Sequence, residues 1–286
     1  MKDEVVSYCL LDMSCVDIQN ILKKTDAVMI PTGSCEMHGP HLPVGTDTFQ
    51  GIEITRRAAK IAGVPYTHQV WMGYSPHHLR EPEKGMGTIT LRASTYHNLL
   101  YDIAKSLIHH GFNKLVFVNN HSSNMKVMDP IMRKLRYETG AFIMVTNLWG
   151  ERYLGIIEDL MDGPEEETPG WHAGELETAQ VMAYDERLVR MDRAIEAKAH
   201  TPEWIPNEFA KKDGTWNVAF KGYEYFYFPM EHNEFAPHGI MGNPFRATKE
   251  KGEKTLNRYA EYLAEALEII KKVKVQIKVR EFTDHA

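Results

Sequence analysis

Residues 30–49 read Ile-Pro-Thr-Gly-Ser-Cys-Glu-Met-His-Gly-Pro-His-Leu-Pro-Val-Gly-Thr-Asp-Thr-Phe, and they follow directly on a short apolar run. Glycine and proline punctuate this loop, and these residues fix the backbone while polar side chains project from it. Glu36, His38, His41 and Asp47 belong to residue types that bind divalent metals, and all of them stand in this one loop. The segment therefore predicts a metal centre next to a strand, and with it an enzyme that catalyses a hydrolysis.

Apolar runs typical of buried strands alternate along the chain with segments of helical periodicity. The strand candidates are residues 27–30, 114–118 and 141–145, and the helix candidates are residues 48–62, 93–110, 125–137, 175–184 and 254–272. Ser94 or Thr95 is the expected N-cap of the second of these helices. Such alternation predicts an α/β fold with a parallel or mixed sheet and helices on both of its faces.

The chain of 286 residues is long enough to bury a large core, and it contains no internal repeat. Its hydrophobic fraction of 43% and charged fraction of 25% are ordinary for a globular protein. We interpret residues 1–286 as a single domain with an excursion at about 201–237 that is rich in proline, glycine and aromatic residues. We expect this excursion to act as a lid or as an oligomer contact.

The charge and the cysteine content narrow the range of partners and compartments. A formal net charge of −6 argues against a nucleic-acid backbone as the main partner. The apolar runs are too short to span a bilayer, and the first residues lack the apolar core of a signal peptide. Three cysteines are too few for a disulfide framework. We therefore expect a cytoplasmic protein that acts on a small molecule and binds neither nucleic acid nor membrane.

Five side chains outside any core pattern are candidate metal ligands. Glu36 and His38 are two residues apart, so in an extended segment both point to one side. Asp47 comes just before a helix, and Glu177 stands at the start of another. His121 follows the end of a strand, where ligands gather in parallel sheets. A mixed set of carboxylates and imidazoles could hold two divalent ions, with Zn²⁺, Mn²⁺ and Fe²⁺ all left open.

Three segments carry a resemblance to a known family. Residues 33–47, 119–124 and 172–178 resemble the signature blocks of the creatininase (creatinine amidohydrolase) family, and residues 87–91 and 239–252 resemble its lesser landmarks. The blocks occur in order between about residues 26 and 267. The resemblance implies a three-layer α/β/α fold with a mostly parallel central sheet. It also implies a homo-oligomer, often a hexamer, and two divalent metal ions per chain.

The resemblance assigns roles to residues of this chain. It implies that Glu36, Asp47 and His121 hold one ion, and that His38, the bridging Asp47 and a further glutamate hold the other. It also implies that His172 lies beside the substrate and helps to transfer a proton. For His41 two interpretations stay open, a group that orients a ligand or an ordinary loop histidine.

The sequence also departs from creatininase itself. The block after the second strand has Ser123 where creatininase has a ligand glutamate, so we assign the missing role to Glu177 as ligand and catalytic residue. Trp171 replaces a glutamate that precedes the histidine of the third block. The segment 75–87 is longer and more charged than is usual in the family. These departures keep the metal chemistry and alter the substrate pocket, for which His78, Arg80 and Trp171 are the candidate contacts.

Three functions remain in competition. The favoured one is a dinuclear metal-dependent hydrolase that uses a metal-activated water to open a small polar ring, with the oxidised inositol 3-dehydro-scyllo-inosose as the single best guess. The second is an amidohydrolase that acts on a cyclic amide or formamide, like creatininase or a formamidopyrimidine deformylase. The third is a non-catalytic assembly subunit stabilised by its metal, although structural zinc sites usually have closed sets of sulfur and histidine ligands. The sequence leaves open the exact substrate, the metal, the subunit number and the pathway.

Overall fold

Two strands that are buried on both faces form the centre of the sheet. In the computed structural model, which describes residues 7–147, 155–163, 172–215 and 217–282, strand β1 spans Ala27–Thr32 and strand β2 spans Lys114–Asn119. They pair in parallel with Thr32 opposite Asn119, and β3 (Phe142–Asn147) pairs in parallel with the other edge of β2. The sheet order is therefore β1-β2-β3.

Seven helices and a second small sheet complete the described part of the chain. The helices are α1 (Cys15–Leu22), α2 (Thr46–Ala62), α3 (Ala93–His110), α4 (Met125–Thr139), α5 (Glu175–Asp185), α6 (His232–Phe235) and α7 (Lys249–Ile270). The small sheet is antiparallel, and its strands are β4 (Phe209–Ala210), β5 (Asn217–Phe220) and β6 (Tyr223–Tyr227).

Side-chain alternation in the central strands creates two cores, one on each face of the sheet. Val28 and Phe117 pack with α3 and α4 on one face, and Met29 and Val116 pack with α2 and α7 on the other. Helix α5 joins α2 and α7 in this second layer. The arrangement is a three-layer α/β/α fold with a parallel central sheet, as predicted.

The second helical layer is tightly packed where α5 meets α7. A Cβ added at Gly252 would lie 1.9 Å from the carbonyl oxygen of Ala179 in α5. Only a glycine allows the backbones of α5 and α7 to approach so closely. This contact fixes the position of α5, whose first turn carries one of the predicted metal ligands.

The predicted strands and helices are all present, and the differences lie at their ends. Strand β1 continues past Ile30 because Pro31 keeps its carbonyl, which accepts a hydrogen bond from Val70 N at 2.9 Å. The N-cap of α3 is Arg92, so the prediction of Ser94 or Thr95 was wrong by two or three residues. Helix α7 begins five residues before its predicted start, because Thr248 caps it by accepting a hydrogen bond from Lys251 N.

The excursion predicted at about 201–237 contains the small antiparallel sheet and α6. Phe209 packs against Phe220 with ring centroids 4.9 Å apart, so part of the aromatic run forms a local core. Tyr225 is 83% exposed on β6. Over the described ranges, every helix falls short of the length and hydropathy that a membrane crossing requires.

Candidate metal centre

The parallel pairing of β1 and β2 brings Glu36 and His121 together. Both residues follow the carboxyl ends of these adjacent strands, which lie at the same edge of the sheet. Glu36 Oε2 lies 3.4 Å from His121 Nε2. Ser75 Oγ is 3.0 Å from the same nitrogen and helps to fix the imidazole ring.

Asp47 lies between the two halves of the site. It is the second residue of α2, where a carboxylate interacts favourably with the helix dipole. Its Oδ2 is 3.1 Å from His121 Nδ1, and its Oδ1 is 3.5 Å from His38 Nε2. Ser34 Oγ donates a hydrogen bond of 2.5 Å to Oδ2 and holds the carboxylate in place. Asp47 therefore faces both imidazoles at once.

The backbone fixes which nitrogen of His38 faces the centre. His38 Nδ1 is 3.0 Å from the carbonyl oxygen of Glu36, so this nitrogen carries the proton and donates it. In the neutral ring Nε2 then carries the lone pair, which is the tautomer that a metal ligand needs. The turn that follows depends on Gly39, which has φ +62° and whose added Cβ would lie 2.6 Å from Ile240.

Glu177 completes the second half from a different part of the chain. It stands in the first turn of α5, and its Oε2 lies 3.5 Å from His38 Nε2. The same oxygen accepts a hydrogen bond of 2.5 Å from Ala173 N. Ala173 has a backbone φ of +54°. Residues other than glycine rarely adopt this conformation, and those that do are often found at functional sites.

The five side chains form two overlapping groups of three. Glu36, Asp47 and His121 each place a donor atom within 4.8 Å of the others, and so do His38, Asp47 and Glu177. Each of the five is between 1% and 5% exposed. Three carboxylates at this depth would repel one another strongly unless cations or protons compensate them. The structure thus brings together all five predicted ligands, with Asp47 in both groups.

The pKa values of these groups describe how the negative charge of the carboxylates is compensated when no cation is bound. Burial opposes the charge of Asp47, but the imidazoles of His38 and His121 outweigh it and hold the pKa of this carboxyl well below its usual range. Burial raises the pKa of Glu36 and of Glu177. Burial works against the protonation of His38, yet Glu177 and Asp47 raise its pKa well above the ordinary value. Protons are therefore shared within the centre, and a bound cation would have to displace them.

Two orphaned atoms indicate that the donor set fits a metal. Glu36 Oε2 and His38 Nε2 are fully buried and have no hydrogen-bond partner within the described part of the chain. Buried polar atoms are nearly always satisfied, so such atoms call for a ligand. Carboxylate oxygens and imidazole nitrogens are the donors preferred by Zn²⁺, Mn²⁺ and Fe²⁺. The residues present therefore fit two divalent ions that share Asp47.

His172 lies against this centre as the resemblance implied. Its Nε2 is 2.6 Å from the carbonyl oxygen of Met37, so this nitrogen donates its proton there. Its Nδ1 is 3.8 Å from Glu36 Oε1, and its ring stacks on that of His38 at 4.0 Å between centroids. Burial and the charge of His38 hold the pKa of His172 well below its ordinary value. A neutral imidazole with a free lone pair therefore faces the metal ligands.

Two further histidines extend this stack. The ring of His232 lies 4.3 Å from that of His172 and 4.5 Å from that of His78. His78 Nε2 is 3.7 Å from Glu36 Oε2, which places this predicted substrate contact beside the metal ligands. His232 received no role from the sequence, because it lies in the excursion and outside the segments that resemble signature blocks, although Glu231 and Glu234 stand beside it.

Arg80, a second predicted substrate contact, is not brought to the centre. Arg80 lies at the surface and pairs with Glu234 Oε1 at 2.8 Å. Trp171 lies outside the described residues. Sequence reasoning also missed Ser34 and Ser75, whose hydroxyls orient Asp47 and His121. Ser34 stands inside the signature loop, but a serine there gives no signal that separates a ligand-orienting hydroxyl from a turn residue.

A cavity of about 340 Å³ opens onto the centre. Glu36, His121, His172 and His232 line its inner part, and Lys211 lines it from the excursion. Lys211 is buried, its ammonium donates to the carbonyl oxygen of Thr215, and burial lowers its pKa to about 8. The volume lies at the lower end of the range typical of small-molecule sites.

His41 stands behind the centre rather than in it. Its Nε2 is 3.0 Å from Thr178 Oγ1, and burial together with the charge of His38 lowers its pKa to about 4. The unfolded chain therefore binds a proton at this residue that the folded chain does not, over the interval between the ordinary pKa of 6.5 and about 4. The stability contributed by neutral His41 is fully present above this interval and is lost as the pH falls through it.

We expect His41→Gln to make the acid side of the stability curve shallower, by up to about 1.4 kcal/mol per pH unit. The amide of glutamine can still bond Thr178 but does not titrate. The measurement is the free energy of unfolding of metal-free protein between pH 7 and pH 4, so that metal release makes no contribution. The exposed His110→Gln serves as the matched control. Parallel curves for wild type and His41→Gln would contradict the prediction.

Comparison with known proteins places the chain among hydrolases. The family model described as Creatininase: Creatinine amidohydrolase matches residues 11–267. The 3-dehydro-scyllo-inosose hydrolase of Thermotoga maritima is 25% identical over 256 residues, which cover 88% of this chain and 79% of that protein. The creatinine amidohydrolase of Pseudomonas putida is 25% identical over 251 residues, which cover 84% and 88% of the two chains.

A solved structure of creatinine amidohydrolase (creatininase) has the same fold. It superposes with a TM-score of 0.72 at 22% identity and covers 94% of this chain and 100% of that chain. The creatininases with matching structures include a Zn-Zn form and a Mn form. The fold and the order of the signature blocks thus agree with the family model.

Proposed function

The chain belongs to the creatininase (creatinine amidohydrolase) family of hydrolases, and on this premise we propose that it is a dinuclear metal-dependent hydrolase that opens a small polar ring. The observation that carries the proposal is that Asp47 belongs to both donor groups of the buried centre. A carboxylate shared in this way is what two neighbouring cations require. The cavity that reaches Glu36 and His121 supports a site with access for water and substrate.

In this proposal, Glu36, Asp47 and His121 hold one ion, and His38, Asp47 and Glu177 hold the other. Two bound divalent ions supply a water of lowered pKa and polarise a carbonyl oxygen of the substrate. Zn²⁺, Mn²⁺ and Fe²⁺ all suit this donor set, and the Zn-Zn and Mn forms of solved creatininases support the first two.

His172 acts in this proposal as the residue that moves a proton. Its Nε2 stays bonded to the carbonyl oxygen of Met37, which keeps the ring in one orientation. Its Nδ1 faces the cavity beside Glu36 and takes up the proton that is released when water attacks the substrate. Because Nε2 donates to the Met37 carbonyl oxygen, Nδ1 carries the lone pair that accepts this proton.

We favour an oxidised inositol, 3-dehydro-scyllo-inosose, as substrate. The relative from Thermotoga maritima that bears this name supports the choice. So does a cavity lined by imidazoles and by the side chains of Lys126 and Lys211, which suits hydroxyl and carbonyl oxygens. An amidohydrolase acting on a cyclic amide or formamide is the alternative, supported by the creatinine amidohydrolase of Pseudomonas putida.

We further propose that the protein is cytoplasmic and forms a homo-oligomer, with six subunits as the expected number.

A non-catalytic, metal-stabilised assembly subunit is the competing proposal from another class. Structural sites are usually closed and rich in sulfur or histidine. The carboxylate-rich centre beside a cavity gives little support to that role.

A substrate panel on metal-reconstituted protein tests the proposed function. We expect 3-dehydro-scyllo-inosose to be consumed with the release of one proton per turnover, because cleavage of the ring gives a carboxylate. Creatinine and a formamidopyrimidine are the parallel substrates, and a pH-stat with product analysis is the measurement. Hydrolysis of either of these in place of the inosose would move the assignment to amide chemistry. No turnover, together with unfolding upon chelation, would favour the assembly subunit.

A further inference from the structure

His232 is a buried imidazole with both ring nitrogens unsatisfied. It is 5% exposed, and neither Nδ1 nor Nε2 has a hydrogen-bond partner within the described ranges. Leaving two buried polar atoms without partners costs free energy, so such groups usually find a partner in a ligand or an ordered water. Because His232 lines the same cavity as Glu36 and His121, the molecule that fills this cavity can supply that partner.

The neighbours of His232 hold its ring in one place. His172 lies 4.3 Å away on one side, His78 stacks at 4.5 Å, and Phe235 lies 5.1 Å away in the same short helix. Burial first, and then the imidazoles of His172 and His78, hold the pKa of His232 well below its ordinary value, so the ring is neutral. A neutral imidazole presents one N–H donor and one acceptor. His232 is therefore a fixed neutral donor that lines the cavity next to His172, which itself lies against Glu36.

The proposed ring opening needs such a donor at a second position. Hydrolytic cleavage of a carbon–carbon bond in a diketone begins when hydroxide adds to one carbonyl carbon. The bond to the carbon between the two carbonyl groups then breaks, and its electron pair forms an enolate on the second carbonyl. The new carboxylic acid loses a proton, and the enolate carbon gains one. Negative charge thus develops on two different oxygens, and a donor at only one of them would leave the other unstabilised.

We propose that His232 contacts the substrate and donates its N–H to this second carbonyl oxygen, where the enolate charge develops. The inference rests on the proposed function, since the hydrolysis of a simple amide has no second oxygen of this kind. His232 is then a catalytic residue for carbon–carbon cleavage. This role also accounts for the position of His232 next to His172 in the cavity.

Binding of two stable probes tests the inference without turnover. Cyclohexane-1,3-dione, which is largely an enolate at neutral pH, has the second oxygen, whereas acetohydroxamate chelates metal ions and lacks it. With metal-loaded protein, we expect His232→Phe to weaken dione binding about ten- to a hundredfold and to leave acetohydroxamate binding unchanged. His232→Gln retains an N–H donor and should recover part of the loss. The surface variant His110→Phe is the control, and calorimetry with metal analysis is the measurement.

Steady-state kinetics give a second, independent test of the role of His232. If the wild type opens 3-dehydro-scyllo-inosose, His232→Phe should lower kcat about 10²- to 10³-fold with little change in KM. If the wild type does not turn over this substrate, the proposed function fails, while the comparison of the two probes still tests the role of His232.

Three results would overturn the inference. Equal losses for both probes would mean that His232 only supports the fold, and no loss for the dione would mean that it makes no contact. A third metal equivalent that disappears in His232→Phe would mean that His78, His172 and His232 bind a cation instead, since their ring nitrogens lie within 4.8 Å of one another.

Discussion

Asp47→Ala is expected to lose both divalent ions and to reduce turnover by more than about 10³-fold. Asp47 is within 3.1 Å of His121 and 3.5 Å of His38, so its removal takes one ligand from each half of the centre. The serine that holds its carboxylate, Ser34, has too short a side chain to take its place. Elemental analysis of the purified variant, together with its rate on the best substrate of the panel, is the measurement.

The control for this variant is Asp102→Ala, which removes an exposed aspartate from α3. It should keep both ions and full activity. Thermal unfolding of both metal-free variants separates loss of metal from loss of fold. Two ions per chain in folded Asp47→Ala would refute the bridging role, and one ion would mean that Asp47 serves only one half of the centre.

The part of the site that could be predicted lies where ligands are close in sequence or follow a strand. Glu36 and His38 lie in the glycine- and proline-rich loop between β1 and α2, and Asp47 is the second residue of α2, so local spacing already brings them together. His121 follows β2, and the parallel pairing of buried strands places its end next to that of β1. The apolar runs of β1 and β2 predict buried strands of a parallel or mixed sheet. That these two strands are neighbours is a finding of the structure.

The part that could not be predicted depends on how distant segments pack. His232 reaches the cavity through α6, which follows the small sheet, and neither a strand end nor a signature block marks its segment in the sequence. Ser75 approaches His121 from a loop 46 residues away, where a serine is an ordinary turn residue. Arg80 shows the opposite error, because its place among charged residues favoured the pocket while its pairing with Glu234 keeps it at the surface.

Glu177→Gln is expected to lose one of the two ions and to retain the other. Its Oε2 is 3.5 Å from His38 Nε2, so it belongs to the half of the centre that His38 and Asp47 form. An amide oxygen is a poorer donor for these cations than a carboxylate oxygen, and it carries no charge to balance them. Metal analysis should give about one ion per chain, and turnover should fall about 10²-fold or more because one of the two polarising charges is missing.

Glu175→Gln is the matched control, since both glutamates are buried in the first turn of α5. Glu175 points away from the centre, where it pairs with Lys251 and accepts hydrogen bonds from Asp162 N and Gly163 N. This variant should keep two ions and instead unfold at a lower temperature, because Lys251 loses a buried partner.

Comparing Glu177→Gln with Glu175→Gln decides whether Glu177 is a metal ligand. Glu177 would then replace the ligand glutamate that creatininase has at the position of Ser123. Ser123 is buried and lines the cavity, but its hydroxyl carries no charge to offer a cation. If Glu177→Gln keeps two ions while Glu175→Gln loses one, the register of α5 relative to the centre is wrong by half a turn. If both variants keep two ions, the ion held by His38 and Asp47 has its third protein ligand elsewhere. The short distance between Glu177 and His38 would then reflect a hydrogen bond only.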